Sequence, residues 1–270
     1  MSRTIRRLTL TEIGTLLDWA ADEGWNPGLG DGAAFHAADP HGFLGAFAGD
    51  TMVAAIAAVA YDARFGFIGL YICHPHWRGQ GHGKAVWDAG MAYLGDRTMG
   101  LDGVPEQQAN YTRMGFVPAY QSVRMSGTLS GRGVTGPVAA PVPTEAILAY
   151  DAACFAAPRP NFLRAWLAPP NRLLTVVRDG ALAGYAVLRP CRQGQKLGPV
   201  FARDLDAATA LLDQVEGPVQ IDVPQAQTAW MALLAQRGFT PGFATARMYA
   251  GAPPALPLHQ VFGVTSLELG

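Results

Sequence analysis

The stretch Ile72-Cys73-His74-Pro75-His76-Trp77-Arg78-Gly79-Gln80-Gly81-His82-Gly83-Lys84 runs from the end of an apolar segment through a glycine-rich turn into a helix start. Val86, Ala89 and Tyr93 follow three and four apart, and Gly95-Asp96 closes the helix that this spacing predicts. Strand, glycine turn and helix N-terminus in that order make an anion site. The glycines let consecutive N–H groups converge without Cβ clashes, and the helix adds the positive end of its dipole. A pyrophosphate fits there. The spacing Arg-x-x-Gly-x-Gly is neither the P-loop nor the dinucleotide pattern, so nucleoside triphosphate and NAD readings lose ground.

Further on, Tyr111-Thr112-Arg113-Met114-Gly115-Phe116 follows a helix-compatible stretch that starts at Pro105, a good first helical residue. The two motifs together resemble the GNAT N-acetyltransferase superfamily over roughly residues 3 to 127. In that superfamily an Arg/Gln-x-x-Gly-x-Gly turn holds the pyrophosphate of acetyl-CoA, and a later tyrosine stands near the thioester sulfur. The resemblance implies that Arg78, Gly79, Gln80, Gly81, His82, Gly83 and Lys84 bind the pyrophosphate, largely through backbone donors. It implies that Tyr71, Ile72 and Cys73 offer their backbone to the pantetheine arm, and that Tyr111 is the acid for the leaving thiolate. Gln107 stands where family members often carry alanine.

Composition narrows the partners. Of 270 residues, half are hydrophobic and 15% charged, with a net charge of −1, which leaves no electrostatic footprint for nucleic acid or an anionic membrane. Cys73, Cys154 and Cys191 are odd in number and scattered, against a disulfide framework or zinc knuckle, so a reducing cytoplasm is the expected location. The basic start Met1 to Arg7 lacks the apolar stretch of a secretory signal. The apolar run Met52 to Tyr61 is too short to cross a bilayer and reads as a buried strand.

Strand and helix signals alternate to about Ser126, and residues 127 to 143 then have a linker composition rich in Gly, Pro, Ser and Thr. The second half repeats the first. Asp50 and Gly69-Leu70-Tyr71-Ile72 align with Asp179 and Gly198-Pro199-Val200-Phe201 at an offset of 129. Gly115-Phe116-Val117-Pro118 and Arg124-Met125 align with Gly238-Phe239-Thr240-Pro241 and Arg247-Met248 at an offset of 123. The interval that loses six residues holds the phosphate turn in the first half; in the second it reads Ala202-Arg203-Asp204-Leu205-Asp206, with no glycine and two acids. Acids repel a pyrophosphate, so the second copy is expected not to bind CoA.

Acyl transfer to an amine needs a base as well as an acid. The segment Phe65 to Cys73 offers no acidic residue; Asp102 is the first candidate, with capping of the helix from Pro105 as its other reading, and Glu23 and Glu268 are weaker candidates. His74 and His76 lack a third ligand at matching spacing, so no metal site is expected. Trp25 and Asn26, before a Pro-Gly bend, are placed where acceptor substrates enter, with an irregular-loop anchor as the alternative for Trp25.

The expectation is therefore an α/β (α+β) protein with two tandem GNAT-like domains, each a mixed, mainly antiparallel sheet flanked by helices. Its parts are an acetyl-CoA-binding domain over 1–127, a linker over 128–143, and a degenerate domain over 144–270 with an acceptor-pocket or structural role. The expected activity is acetyl transfer from acetyl-CoA to a primary amine of a small metabolite; the alternative is an acyl-CoA sensor without turnover.

Overall fold

The computed structural model describes residues 3–131 and 142–270. The first half comprises β1 (Arg3–Arg7), α1 (Leu10–Asp22), α2 (Asp31–Ala38), β2 (Phe43–Ala48), β3 (Thr51–Ala60), β4 (Phe65–Cys73), α3 (His82–Leu94), β5 (Thr98–Gly103), α4 (Pro105–Arg113) and β6 (Val117–Ser130). The second comprises α5 (Thr144–Cys154), α6 (Pro160–Trp166), β7 (Arg172–Arg178), β8 (Ala181–Pro190), β9 (Gln195–Ala202), α7 (Leu205–Leu212), β10 (Glu216–Pro224), α8 (Thr228–Gln236) and β11 (Thr240–Ala250), and β12 (Val261–Gly263) follows. From the helix pair onward the two halves have the same order, as the offsets predict. Eight residues separate β4 from α3 and two separate β9 from α7, so the whole six-residue deficit falls in the glycine turn.

Local sequence explains the elements that flank this turn. Thr9 and Glu12 form a reciprocal capping box at the start of α1, and the Arg6 guanidinium on Glu12 holds its carboxyl down to about 2. Val86, Trp87, Gly90 and Leu94 form the buried stripe of α3, which lies on β3 and β2. β3 and β8 are nearly continuous apolar runs because helices cover both of their faces.

The strands form one sheet of mixed direction in the order β1-β2-β3-β4-β5-β11-β6-β10-β9-β8-β7, with β12 alongside β9. Among the described residues β4–β5 and β9–β10 are parallel and the other pairings are antiparallel. The halves exchange their last strands. β11, from the second half, pairs with β5 through Ala246↔Gly103 to Ala250↔Met99, while β6, from the first, pairs with β10 from Ser122↔Pro224 to Ser130↔Glu216. The boundary expected at residue 127 therefore falls inside a strand, since β6 continues to Ser130 against Glu216. Residues 132–141 of the expected linker lie outside the described residues.

Three buried arginine–aspartate pairs tie the halves together. Arg247 of β11 grips Asp102 of β5 with two hydrogen bonds of 2.9 and 2.8 Å, Arg124 of β6 grips Asp222 of β10 at 2.8 and 3.0 Å, and Arg189 of β8 meets Asp31 of α2 at 2.5 Å. Beside the last pair, the rings of Phe35 and Trp166 stack at 5.9 Å, so α2 and α6 share one core. Removing one partner of such a pair strands a buried charge, so Arg247→Met is expected to cost about 3–5 kcal/mol of stability, read by urea unfolding. A chain cut within residues 132–141 is expected to remain one particle on gel filtration, because each piece carries a strand of the other's sheet; fragments that separate and stay folded would contradict the exchange.

Candidate active site

β4 and β5 are paired from Phe65↔Thr98 to Ile68↔Leu101, and beyond that they part. Just there β4 carries a bulge: the register steps from Ala57↔Gly69 to Ala55↔Ile72, so Leu70 and Tyr71 face the single residue Ile56. Leu70 is left-handed, at φ 47°, a backbone conformation that a branched side chain seldom adopts. The bulge turns backbone polar groups out of the ladder at the mouth of the V between the strands. In that V lies a cleft of about 590 Å³.

Tyr71, Ile72, Cys73, Arg78, Asp102, Tyr111 and Trp25, singled out by sequence, meet in this cleft, and residues 79–84 of the turn follow Arg78 outside its lining. Tyr71, Ile72, Cys73 and Arg78 line one wall; Asp102, Gln107 and Tyr111 line the other; Glu23, Trp25 and Glu268 also border it. Tyr111 projects from α4, its ring stacked on Trp87 at 5.7 Å and edge-on to Phe116 at 6.2 Å. Among the described residues its hydroxyl has no hydrogen-bond partner in the protein, and burial pushes its pKa up to about 12. The phenol is therefore protonated at neutral pH and free to donate.

Arg78 anchors the turn at the end of the cleft, donating from Nε to the Cys73 carbonyl at 3.0 Å and pairing with Glu23 at 2.5 Å. Gly79 and Gly81 both have φ of 77°, and a Cβ on either would find open space or only the end of Arg3, so backbone conformation rather than crowding demands glycine there. Gly81 precedes α3, whose first-turn amides at His82 and Lys84 have no carbonyl partner among the described residues, while the Gly83 amide is turned to Cys73 Sγ. His82 Nδ1 is also buried without a partner. Donors from backbone and imidazole at a helix N-terminus fit a pyrophosphate. Lys84 Nζ is held by Asp88 at 2.6 Å and Gln80 bonds the His76 carbonyl at 3.2 Å, which leaves these residues their backbone for an anion.

Two expectations change. Asp102 does not stand free as a base: both its oxygens accept from Arg247, and it does not cap α4, whose N-cap is Val104. Burial pushes its carboxyl above the ordinary range against the pull of that arginine. Asn26 does not line the cleft; its amide donates to the Gln193 carbonyl and to Gln220, and its oxygen accepts from the Gln193 amide, which makes it a tie between the halves. Trp25 does line the cleft, and its carbonyl accepts from both Arg124 and Lys196. Phe243, Thr245 and Leu267 border the cleft without any signal in the sequence, because they reach it through strand exchange and a chain reversal.

The second half repeats the backbone device, but its own chain occupies the places that are open in the first. β8–β9 repeats the bulge one residue earlier, at Gly198 and Pro199 opposite Val187; Pro199 stands in place of Leu70, and proline has no N–H to offer. β9 and β10 pair only at Gln195 and Lys196, and the space where they part holds β12, with Val261 opposite Phe201, Gly263 opposite Val200, and the Val264 amide on the Asp222 carbonyl at 2.9 Å. At α7 the Asp204 carboxylate accepts from the Ala207 amide at 2.8 Å, filling the helix start that is open in α3.

Residues 11–116 match the acetyltransferase (GNAT) family and residues 147–263 an acetyltransferase (GNAT) domain. Holothin acyltransferase of Pseudoalteromonas sp. (strain SANK 73390) is 31% identical over 278 residues, spanning 99% of this chain and 94% of that protein. Among solved structures, a putative acetyltransferase from Pyrococcus horikoshii shares the fold with a TM-score of 0.81 at 20% identity, over 99% of this chain and 96% of that one. A tandem GNAT protein from the clavulanic acid biosynthesis pathway shares it with a TM-score of 0.64 at 18% identity, over 94% and 100% of the two chains. A parallel strand pair that splays at a bulge, a glycine turn at one end, and a whole-length acyltransferase relative agree: this chain belongs to the GNAT superfamily, as a tandem GNAT acyltransferase.

Proposed function

We propose that the protein transfers an acetyl group from acetyl-CoA to a primary amine of a small molecule. The observation that carries this reading is the splay of β4 from β5, which puts unpaired backbone of the bulge, a glycine anion turn and a protonated tyrosine around one cleft. Gly79, Gly81 and the first amides of α3 would receive the pyrophosphate, and the bulge at Leu70–Tyr71 would address the pantetheine arm and polarise the thioester carbonyl. Tyr111 would protonate the departing sulfur, a role open to it because its hydroxyl carries its proton at neutral pH and borders the cleft. The whole-length relative is named for acylating holothin, a small molecule, which supports a small acceptor here as well.

Gly81→Asp is expected to abolish acetyl-CoA binding by placing a carboxylate in the nest of amides; because the left-handed φ of 77° strains any side chain there, the uncharged Gly81→Asn, equally strained, is its control and is expected to keep measurable binding. Calorimetric titration checks this, and unchanged affinity would remove the turn from the site. Tyr111→Phe is expected to lower kcat about 10²–10⁴-fold with acetyl-CoA affinity nearly unchanged, measured as amine-dependent release of the CoA thiol. A variant with full turnover would show that water, or another group, protonates the sulfur.

A further inference from the structure

The segment after β12 crosses from one copy to the other. It passes Gly198, where a Cβ would meet the carbonyls of Val264 and Thr265 at 2.6 Å, and ends against Gly69, where a Cβ would collide with the Glu268 carbonyl. Gly69, the last paired residue before the β4 bulge, and Gly198, the first residue of the β9 bulge, correspond at the offset of 129, and their lack of side chains gives the segment its track. Arg159 donates to Thr265 Oγ1 at 2.7 Å and Tyr61 to the Leu269 carbonyl at 2.8 Å, which fixes the track at both ends. Glu268 is thereby set into the wall of the acyl-transfer cleft.

Glu268 is 2% exposed, and neither carboxylate oxygen has a hydrogen-bond partner. Its nearest cation, Lys196 Nζ, stands 3.9 Å away and donates instead to the Trp25 carbonyl at 2.8 Å. Other charges in its surroundings are already matched: Arg124 with Asp222, Arg189 with Asp31, and Asp102 with Arg247. Cys191 lies in the same field as an uncharged thiol whose pKa burial raises. A second acceptor is orphaned in the same wall, the buried hydroxyl of Thr245 on β11. Buried acceptors without partners are costly, and a primary ammonium supplies three donors, one for each of the three oxygens. Trp25, Phe243 and Leu267 add apolar surface beside them.

We infer that Glu268 and Thr245, both from the second half of the chain, form the acceptor subsite of the first half's cleft, and that its ligand is a small primary ammonium with an apolar or aromatic body. This inference rests on the acyl-transfer reading of the cleft. Glu268 takes one of the three ammonium protons, and the freed nitrogen lone pair forms the C–N bond to the thioester carbonyl carbon. When the C–S bond breaks, Tyr111 gives its proton to sulfur and regains one from nitrogen, leaving the single N–H of the amide. Glu268 then returns its proton to water.

The probe is n-butylamine, cationic at pH 7.5, titrated by calorimetry into the CoA-saturated full-length protein, with n-butanol as its neutral counterpart. The wild type is expected to bind the amine at least tenfold more tightly than the alcohol. Glu268→Gln is expected to erase that preference, and Glu268→Asp to restore part of it, which a merely structural role for the carboxylate would not do. Thr245→Val, which replaces an unpartnered hydroxyl by a methyl group and so leaves the fold secure, is expected to weaken the amine severalfold and the alcohol not at all. Equal affinity for amine and alcohol in the wild type overturns the inference, as does a preference that survives in the Gln variant. Failure of the wild type to bind acetyl-CoA would instead overturn the reading of the turn, so the two failures are distinguishable.

Discussion

Arg247 reaching from the second half into the buried carboxylate of Asp102 is the contact on which the cleft depends. A parallel strand pair that splays leaves one edge of β5 facing the cleft and the other needing a partner. β11 supplies that partner, and the ion pair locks the register within a residue, since a slip of one would turn Arg247 to the opposite face and leave Asp102 charged and alone. With β5 held from outside, the bulge in β4 can separate the two strands without unravelling the sheet.

The two halves solve one backbone problem in different ways. Both splay a parallel pair at a bulge, and an open splay exposes unpaired amides and carbonyls that need an occupant. In the first half the cleft stays available and is equipped with a glycine turn and Tyr111. In the second, β12 lies in it as a covalently attached strand, and Asp204 caps the helix start where an anion would sit. The losses agree with one another: once the chain itself fills the cleft, nothing is left for a glycine nest to hold, and six residues of turn disappear.

Features set by local backbone chemistry were legible in the sequence, and features set by pairing were not. The glycine turn and the helices α3 and α4 rest on spacing within a few tens of residues, and the repeat on short local motifs that recur at a nearly constant offset; each appears in the structure. Asp102 looked free because its arginine lies far along the chain and arrives only through exchange of β6 and β11. Asn26 read as a pocket residue for the same reason, its partners Gln193 and Gln220 being distant in sequence. Glu268 was only a weak candidate, because no local pattern shows that the segment after β12 is threaded past Gly198 and Gly69.

Strand exchange also constrains how such a chain can evolve. A duplicated domain that folds alone can be deleted or drift without harm to its twin, but here the strand that completes the first sheet is encoded in the second copy. Any constraint on the sheet of the first half therefore acts directly on β11, whereas α7 and the short turn before it contribute no strand to that sheet. Decay of the second copy is thus expected to be uneven, with its phosphate site eroding fastest and its last strand slowest. A duplication locked in this way cannot be undone by losing either half.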